Sequence, residues 1–598
     1  MPLDPIPGFC IGSDSSRARG ANAQRTANML SEKNGPGGNG EFTLVPRAGK
    51  ELFTTGPTGA WYGAWANKSR VFCVSVAGEL YELYQDGTFL DYTIAGGLAP
   101  AEPVIIRSNG NQIGLVSGGY FWIADGIDVY KPYISYARSY VTIAGTTVTW
   151  VSGDLFTDVI SGDFVHFDDG VGQTTTRRVT GTPSPTSLQL TSTGPTLTPP
   201  ATAFLASWGS PTVPGGSVAP YIPAKSLEMV DGYFVVGITD TKDFRISNSL
   251  NGKIWDVLDI AHKSGSTDNI AALADLGGQL VVIGDTNSTE IWANSGSVDF
   301  PFVRVSGRTM NMGTDARYSV AKLPDGSLCW LMCATAGREM VVRTTGSEPT
   351  RISNHALENA MRGYSVISDA VGSTFLENGH PIYRLDFPTA NRTWFFDASN
   401  GLWTEIGPGT GTGTPEVWTA DKARFNVHVT WPNGTRMRLG FDHSSGKIWK
   451  ISPDYLDDEG TDFECMRISP HVAPNLDPMT CNAFALDCEL GTVAAGVNGA
   501  DGLPLIPKVS MQYSDDGART WSTAQDASLG RNTEYQGTFL TAAELAAGGG
   551  SSQTNPQGFE TMPIWRALGR FYIAKTFKIK ANAKYLRAIY NGLVDVSK

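Results

Sequence analysis

The feature that most constrains this chain is a recurring pair of alternating apolar strands joined by a glycine-containing turn. One copy is Ile270-Ala-Ala-Leu-Ala-Asp-Leu-Gly-Gly-Gln-Leu-Val-Val-Ile-Gly284. Glycine next to Asn, Asp or a second Gly provides the positive backbone angles that tight hairpin turns need. The pattern predicts a succession of antiparallel hairpins, and its seven turns lie at Gly78, Gly118, Asp231, Gly277, Asp325, Gly379 and Asn433.

The spacing of these turns predicts a repeating architecture. Consecutive turns are 40, 113, 46, 48, 54 and 54 residues apart. A recurrence of about 40–50 residues is the size of one four-stranded propeller blade. The outlier becomes regular if residues 139–210, which contain short alternating strands and a Pro-rich end, form an insertion. We therefore expect an all-β chain: a β-propeller of about seven blades, with six as the alternative, carrying an inserted small β-barrel.

The remaining regions complete the predicted domain organisation. Residues 1–60 contain Gly- and Pro-rich stretches and suggest an extended arm with the first strands, packed on neighbouring subunits. Residues 461–598 predict a C-terminal β-rich domain that completes the body, with a short helix at Thr541–Ala547 followed by a mobile loop at Gly548–Gln553. The propeller itself is expected in two parts, residues 61–138 and 211–460.

The composition supports an all-β fold and argues against several other classes. Aromatic residues make up 10% of the chain and charged residues 17%, whereas disordered proteins have few aromatics and many charges. The net charge of −12 argues against a basic face that wraps a DNA duplex. The densest basic stretch, Lys575-Thr-Phe-Lys-Ile-Lys580, alternates in a way that predicts the solvent face of a strand.

Targeting signals and cysteines indicate where such a chain is made. The seven cysteines are few, odd in number and irregularly spaced, which favours reduced thiols over a disulfide framework. The start, Met1-Pro-Leu-Asp-Pro-Ile-Pro7, lacks the basic and apolar regions of a signal peptide. No run of about 18 apolar residues occurs, so no membrane span is predicted. We expect a soluble protein synthesised in a cytoplasm.

The sharpest local motif is Ser514-Asp-Asp-Gly-Ala-Arg-Thr-Trp521. It resembles the Asp box of sialidase-like propellers, although its Gly falls one position early, and Ser247–Trp255 is a looser relative. In such boxes the Asp caps backbone N–H groups of a tight hairpin and the Trp packs beneath it, so a structural role is favoured. A glycosidase would also need paired carboxylates beside its substrate, and no pair stands out by spacing.

For three other candidate sites, a structural role is also favoured over metal or phosphate binding. Cys329 and Cys333 share one face of a predicted core strand but lack further zinc ligands, so we expect small buried hydrophobes. Gly407–Gly413 lacks the Lys-Ser/Thr of a phosphate-binding loop and predicts a flexible turn. Asp457–Asp462 matches no EF-hand spacing and predicts a solvated loop. The sequence therefore nominates no catalytic residue, no cofactor-binding residue and no metal ligand.

Short motifs follow one another in an informative order along the chain. They include Asn28-Met-Leu30, Trp61-Tyr-Gly63, Phe244-Arg-Ile-Ser247, Ser288-Thr-Glu-Ile-Trp292, Tyr513-Ser-Asp-Asp-Gly517 and Trp565-Arg-Ala-Leu-Gly-Arg570. This succession resembles the packaged-DNA stabilisation proteins, or tail hub (nozzle) proteins, of short-tailed bacteriophages. The resemblance runs from about residue 20 to the end, apart from the insertion at 139–210.

The resemblance implies a structural virion protein of the tail, synthesised in the host cytoplasm, and no enzyme. Proteins of this family look like propellers that form a homohexameric ring below the portal and its adaptor. They retain packaged DNA, form the channel for its ejection, and carry the tail needle or tip and often the tail fibres or tailspikes. DNA would pass non-specifically. The alternative is an Asp-box propeller that binds or hydrolyses glycans as a tail protein.

Overall fold

The computed structural model describes most of the chain, and its described residues are almost entirely strands and turns. The described residues are 3–597 except 17–20, 37–39, 68, 92–97, 99, 111, 125–137, 154, 157–163, 169–173, 191–200, 207–221, 253, 333–338, 347, 414–415, 473–477, 491–507, 530–561 and 573. The predicted helix at Thr541–Ala547, the loop at Gly548–Gln553 and Cys333 lie outside them.

Five strands precede the repeating part of the chain. They are β1 (Asp4–Pro5), β2 (Arg25–Ala27), β3 (Met29–Lys33), β4 (Phe42–Pro46) and β5 (Gly49–Thr55). The first sheet of the repeating part then consists of β6 (Trp61–Asn67), β7 (Arg70–Ser75), β8 (Leu80–Leu83) and β9 (Phe89–Asp91), paired in that order.

The second sheet is interrupted by the insertion. It starts with β10 (Ile105–Ser108), β11 (Ile113–Ser117) and β12 (Tyr120–Ala124). Six strands follow: β13 (Arg138–Ala144), β14 (Thr147–Gly153), β15 (Phe164–Asp168), β16 (Thr174–Ser184), β17 (Ser187–Leu190) and β18 (Ala201–Ala206). They pair in the closed order β13-β14-β17-β16-β15-β18. The chain returns as β19 (Ile222–Pro223), which pairs with β12, so the insertion separates the third and fourth strands of the second sheet.

Three complete four-stranded sheets come next. The third sheet is β20 (Ser226–Val230), β21 (Tyr233–Gly237), β22 (Asp243–Ile246) and β23 (Ile260–His262). The fourth is β24 (Ile270–Leu276), β25 (Gln279–Gly284), β26 (Thr289–Asn294) and β27 (Phe302–Met310). A 3-10 turn, Arg317–Ser319, leads to the fifth: β28 (Ala321–Lys322), β29 (Leu328–Met332), β30 (Met340–Thr344) and β31 (Thr350–Arg351).

The last two sheets bring the chain back to its start. Helix α1 (His355–Met361), capped by the Asn354 side chain, precedes the sixth sheet of β32 (Val371–Glu377), β33 (His380–Phe387), β34 (Arg392–Asp397) and β35 (Leu402–Ile406). The seventh contains β36 (Ala423–Thr430), β37 (Arg436–Asp442) and β38 (Lys447–Ser452). Its fourth strand is β5, which pairs antiparallel with β38. The N-terminal region therefore completes the seventh sheet.

The sheets close into a ring around a common axis. The first strand β6 contacts β10, β10 contacts β20, and β20 contacts β24. The 3-10 turn contacts β24 and β29, while β28 contacts β32, β32 contacts β36, and β36 returns to β6. Four-stranded sheets arranged in this way form a β-propeller. The expected all-β propeller fold is confirmed.

Apolar side chains fill most of the spaces between neighbouring sheets. The Phe244 and Trp292 rings meet edge to face between the third and fourth sheets, with centroids 5.1 Å apart. Trp61 of the first sheet is fully buried and lies 5.8 Å from the Phe441 ring of the seventh. Burial of such aromatic side chains is the main source of stability available to this architecture.

The turns found in the sequence each fall in a different sheet. The turns at Gly78 and Gly118 join second and third strands, whereas those from Asp231 onward join first and second strands. This change of position contributes to the unequal spacing. Asn378 at φ 49° and Gly379 at φ 85° illustrate the left-handed backbone that these hairpins require.

A second body of two sheets lies beside the propeller. The hairpin of β39 (Asp457–Asp458) and β40 (Thr461–Asp462) precedes this body and still belongs to the seventh sheet, because β39 pairs with β5. The strands that follow are β41 (Glu464–Ile468), β42 (Met479–Leu490), β43 (Lys508–Ser514), β44 (Gln525–Ser528), β45 (Ile564–Arg566), β46 (Arg570–Phe571), β47 (Thr576–Asn582) and β48 (Leu586–Ser597). One sheet has the order β3-β4-β48-β42-β45, and the other continues the sixth sheet as β2-β41-β47-β43-β44. Their core includes Phe484 stacked on Phe577 with centroids 4.2 Å apart.

The N-terminal strands differ from the extended arm that the sequence suggested. β1 and β4 pair with β48, β2 pairs with β41 and β35, and β5 pairs with β38. These strands therefore use their backbone groups within their own chain. Such pairings between distant segments leave no local signal in the sequence, which is why Gly and Pro content alone suggested an arm toward neighbours.

Candidate functional site: the axial cavity and the propeller seam

The Asp box occupies a turn in the second body and has the geometry of a structural cap. Asp516 accepts hydrogen bonds from the Thr520 backbone N–H at 2.9 Å, the Arg519 N–H at 3.0 Å and the Ser514 hydroxyl at 2.7 Å. Burial works to raise the pKa of Asp516, but hydrogen bonds led by those from Thr520 bring it down to about 2. The carboxylate therefore accepts its hydrogen bonds from groups of its own turn, which lies between β43 and β44.

The basic stretch at the C-terminal end is not the solvent face that its alternation predicted. Lys575 and Lys578 are 0% and 3% exposed. Lys575 Nζ donates to the Leu568 carbonyl at 2.9 Å, and Lys578 Nζ lies 2.8 Å from a carboxylate oxygen of Glu416 and 4.3 Å from the Trp521 ring centroid. The prediction was wrong because loops of the propeller and of the Asp box cover this side of β47.

The acidic stretch Asp457–Asp462 is also more ordered than the predicted solvated loop. It forms the hairpin β39–β40, and Asp458 pairs with Arg47 at 2.6 Å and with Lys50 at 3.6 Å. Glu459 accepts from Lys447 at 2.7 Å. The positively charged groups that bind these carboxylates are therefore lysine and arginine side chains of the same chain.

The thiol of Cys329 is buried and free, as expected for a small core hydrophobe. Burial raises its pKa to about 12, so it stays protonated at neutral pH. No group of three or more His, Cys, Asp or Glu side chains that could hold a metal ion occurs in the described part of the chain. Within the same residues, no helix has the length and apolar character of a membrane-spanning segment.

A buried charge network joins the sixth and seventh sheets, and we call it the seam. It contains Arg47, Lys50, Glu377, Arg384, Asp386, Asp421, Arg438 and Asp458. Arg384 holds Asp386 through two hydrogen bonds of 2.6 and 2.9 Å and reaches Asp421 at 3.1 Å. Lys50, from the N-terminal strand β5, pairs with the same Asp421. The seam thus couples closure of the ring to a strand from the start of the chain.

Electrostatics in the seam favour the fully charged state. Burial works to raise the pKa of Asp421, but Lys50 and Arg384 hold it well below its usual range. Arg438 donates to Glu377 at 2.6 Å and covers the face of Phe375 at 3.6 Å from the ring centroid. Four cations face four carboxylates, so the network is internally neutral and presents no free group for chemistry.

A cavity of about 630 Å³ lies at the ends of the innermost propeller strands, and we call it the axial cavity. Its lining comes from the residues that precede or begin the first strands of several sheets, including Tyr62, Glu102, Lys225, Arg317, Asp369 and Arg424. Four charged side chains of this lining form two ion pairs. Arg317 pairs with Glu102, and Lys225 Nζ lies 3.2 Å from Asp240 Oδ1.

Three residues in the lining of the axial cavity each contain one polar atom that is inaccessible to solvent and has no hydrogen-bond partner among the described residues. These atoms are Thr239 Oγ1, Asp369 Oδ1 and Arg424 Nε. Arg424 is only 8% exposed, and its guanidinium takes part in no ion pair within the described part of the chain. Burial lowers the pKa of Arg424, and the nearby carboxylates of Asp386 and Asp369 act in the opposite direction. Sequence reasoning missed this set because its members come from the third, sixth and seventh sheets and share no motif.

A second cavity, of about 540 Å³, lies where the propeller meets the second body. It is lined by the N-terminal segment, α1, the sixth sheet and the Asp-box turn, with Arg25, Trp394, Glu405 and Trp521 among its walls. Arg25 and Glu405 pair with each other in its wall.

Comparison with known proteins finds a family that matches part of the propeller. The family described as "Phage_stabilise: Bacteriophage P22 Gp10, beta-propeller" matches residues 222–437, which run from β19 through the third, fourth, fifth and sixth sheets into β37. Residues 222–437 are similar to this phage stabilisation family. The resemblance drawn from the order of motifs is thereby confirmed.

Two further comparisons add little. No curated protein matches the chain. A solved structure titled "Crystal structure of the computationally designed Ika8 protein: crystal packing No.1 in P63" is 8% identical, covers 67% of this chain and 99% of its own, and has a TM-score of 0.30. A likeness at that level carries no argument about fold or function.

Proposed function

We propose that this chain is a tail nozzle subunit of a short-tailed bacteriophage and has a structural, not an enzymatic, role. The observation that carries the proposal is the family match over residues 222–437, which spans four sheets of the propeller. In the proposed virion, copies of the chain form a ring, a homohexamer, below the portal and its adaptor. The ring retains packaged DNA, forms the channel for its ejection, and contacts the tail needle or tip and the tail fibres or tailspikes.

The body of each subunit follows from the strand pairing. We propose a propeller of seven blades, with the seventh completed by β5, and a small barrel made by the insertion between β12 and β19. The insertion interrupts the sequence of one sheet only, so it is suited to contacting another virion protein without disturbing the ring of sheets.

Exposed apolar side chains on the outer edges of two sheets support self-association. Leu258, in the connection before β23, is 83% exposed, and Val298, between β26 and β27, is fully exposed. Val257 and Ile254 near Leu258 are more than half exposed as well. Large apolar side chains exposed in one region of a monomer are characteristic of a surface that another protein covers, and we assign that role to a neighbouring copy.

The overall charge supports passage of DNA through such a ring. Each chain carries a net charge of −12, so six copies carry about −72. A negative assembly repels the phosphate backbone and lets DNA slide without tight binding. The subunit would touch DNA without gripping it.

Mass spectrometry of purified virions tests the proposal. We expect peptides of this chain in particles of the phage that encodes it, at a copy number equal to that of the other six-fold tail components. Absence of the chain from purified virions, together with turnover of labelled glycosides by the purified protein, would reject the structural role in favour of a glycan-directed one.

A further inference from the structure

Exposed apolar side chains are concentrated in one part of the third sheet. Of the sixteen large apolar side chains that are exposed among the described residues, five lie between residues 250 and 260: Leu250, Ile254, Val257, Leu258 and Ile260. This stretch connects β22 to β23, the outermost strand of its sheet, and we call it the third-sheet surface. Apolar side chains concentrated in this way are characteristic of a surface that another protein covers.

Two carboxylates accompany these apolar side chains, and neither forms an ion pair with any described residue. They are the exposed Asp256 and the half-buried Asp259. Arg245, on the neighbouring strand β22, donates to the Val257 carbonyl at 3.4 Å and to neither carboxylate. Partial burial and the charge of Asp256 raise the pKa of Asp259, and no cation of the described residues opposes them. The third-sheet surface is therefore apolar and acidic, so it fits a partner surface that is apolar and basic.

The second body contains a surface of the opposite charge. β45 and β46 both pair with β42 and form the edge of their sheet. Arg566 and Arg570 are exposed on these strands, and neither forms an ion pair within the described part of the chain. The Arg570 guanidinium lies 5.5 Å from the ring centroid of Tyr572, and Tyr572 and Met562 are themselves exposed. We call these four side chains the arginine edge. Arginine, aromatic and methionine side chains are enriched in protein interfaces.

The two surfaces lie on different sides of the molecule. The second body joins the propeller at the sixth sheet, where β2 pairs with β35 and β3 contacts β35. β3 and β45 are the two ends of the sheet β3-β4-β48-β42-β45, so the arginine edge is at the end away from the sixth sheet. The third sheet is separated from the sixth by two sheets in one direction around the propeller and by three in the other. A ring of identical subunits needs two separate contact surfaces of this kind, because each copy binds one neighbour on each side.

We propose that the third-sheet surface of one copy packs on the arginine edge of the next copy, with Asp256 and Asp259 facing Arg566 and Arg570. This contact rests on the proposed ring and names the two surfaces that build it. It removes the exposed apolar side chains of both surfaces from water and gives the four charged groups partners of opposite sign. Because different surfaces meet, the contact is heterologous and is repeated from copy to copy around the ring.

Charge reversal followed by mixing tests the contact in the full-length chain. One double variant combines Asp256→Lys with Asp259→Lys, and the other combines Arg566→Glu with Arg570→Glu. Each alone should associate at least about tenfold more weakly than the wild type, because like charges then face each other. An equimolar mixture of the two should recover association, since each reversed surface meets its complement on the other variant. Sedimentation velocity over a concentration series measures all of these samples.

Matched controls reverse the same number of charges at exposed positions elsewhere. They are Glu348→Lys with Asp454→Lys, and Arg362→Glu with Arg436→Glu, and both should associate like the wild type. Recovery on mixing also shows that the reversed variants are folded, because a misfolded chain would not regain a specific contact.

The failure of this contact and the failure of the ring give different results. If the wild type associates and the reversed variants associate equally well, or stay weakened when mixed, the assigned contact is overturned while the ring stands. If the wild type remains a single chain at every concentration, with the portal adaptor as well as without it, the ring and the contact are both overturned.

Discussion

Buried arginine side chains are the distinctive residues of both the propeller and the second body. Arg384 and Arg467 are 1% and 0% exposed, and the guanidinium group of each donates hydrogen bonds to several oxygen atoms. Arg467 reaches the backbone carbonyls of Phe9 and Gly12 in the N-terminal segment. Hydrogen bonds to charged groups are stronger than neutral ones, and each such arginine fixes segments that are distant in sequence.

Asp421 is the residue of the seam whose removal we expect to be most damaging. It faces Lys50 and Arg384, so Asp421→Asn leaves two buried cations with less compensation. Loss of one partner of a buried pair costs about 3–5 kcal/mol. Urea unfolding monitored by tryptophan fluorescence should show this loss in Asp421→Asn, while Asp299→Asn, at an exposed aspartate, changes the free energy of unfolding by about 0.5 kcal/mol or less. Equal stability of the two variants would refute the importance of the seam.

His380 should make stability depend on pH in a defined direction. A hydrogen bond to Asp397, 2.6 Å from Nδ1, raises the pKa of this imidazole above its ordinary value, and burial only partly opposes this. Since the folded state binds the proton more tightly, the stabilisation is complete below the unfolded pKa of about 6.5 and is lost as pH rises through the folded value.

The corresponding measurement compares wild type with His380→Gln. The difference in their free energy of unfolding should be larger at about pH 5.5 than at about pH 8.5. His355→Gln, at an exposed position on α1, serves as the control. A difference that grows toward alkaline pH would show that His380 is not protonated in the folded protein.

At the scale of secondary-structure elements, β5 is the strand on which closure of the propeller depends. It leaves the N-terminal region at Gly49, pairs with β38 and contacts β39 in parallel. A Cβ added at Gly49 would lie 2.4 Å from the Asp457 carbonyl oxygen and 2.5 Å from that of Tyr455. Both are backbone atoms, so they cannot move aside without shifting β39 and the connection that leads to it from β38.

Gly49→Ala should therefore destabilise the protein through closure of the ring. We expect a loss of about 1–3 kcal/mol, typical of overpacking against atoms that cannot relax. Gly35→Ala is the matched control, because a Cβ at Gly35 meets nothing within 4 Å. Differential scanning calorimetry measures the unfolding temperature of both variants and of the wild type. Unfolding of Gly49→Ala at the wild-type temperature would show that β5 is dispensable for closure.

Elements whose structure is set by their own residues could be predicted from the sequence. Elements that depend on partners distant in the sequence could not. Gly379 and Asn378 create a hairpin by their own backbone preferences, so the turn and the two strands beside it were correctly predicted. By contrast, β5 completes a sheet whose other strands lie about 400 residues later, and no residue of β5 encodes that partner. Lys578 was misassigned for the same reason, since the loops that cover it come from distant segments.

Candidate-site residues obey the same physical rule. The Asp box was predictable because Asp516 acts on groups within four residues of itself. Arg424 and Asp369 lie about 55 residues apart in the sequence, and only the folded structure brings them into the lining of one cavity. Such information exists in the packed structure and has no counterpart in residue spacing.

At the scale of the whole molecule, the exposed apolar edge predicts how copies associate. Leu258→Asp places a charge on this edge and should weaken self-association at least about tenfold, while changing the stability of the monomer by about 0.5 kcal/mol or less. Val76→Asp, at a partly exposed valine of the first sheet, is the control and should associate like wild type. Sedimentation velocity over a concentration series measures both. Identical association of Leu258→Asp and wild type would place the contact between copies elsewhere.

Single-particle electron microscopy of the full-length protein, alone and with the portal adaptor of the same phage, tests the central claim most directly. The proposed nozzle predicts closed rings of six subunits around an open channel, with the propeller visible in each subunit. Particles of a single 64.0 kDa chain in both samples, with no ring on the adaptor, would contradict it.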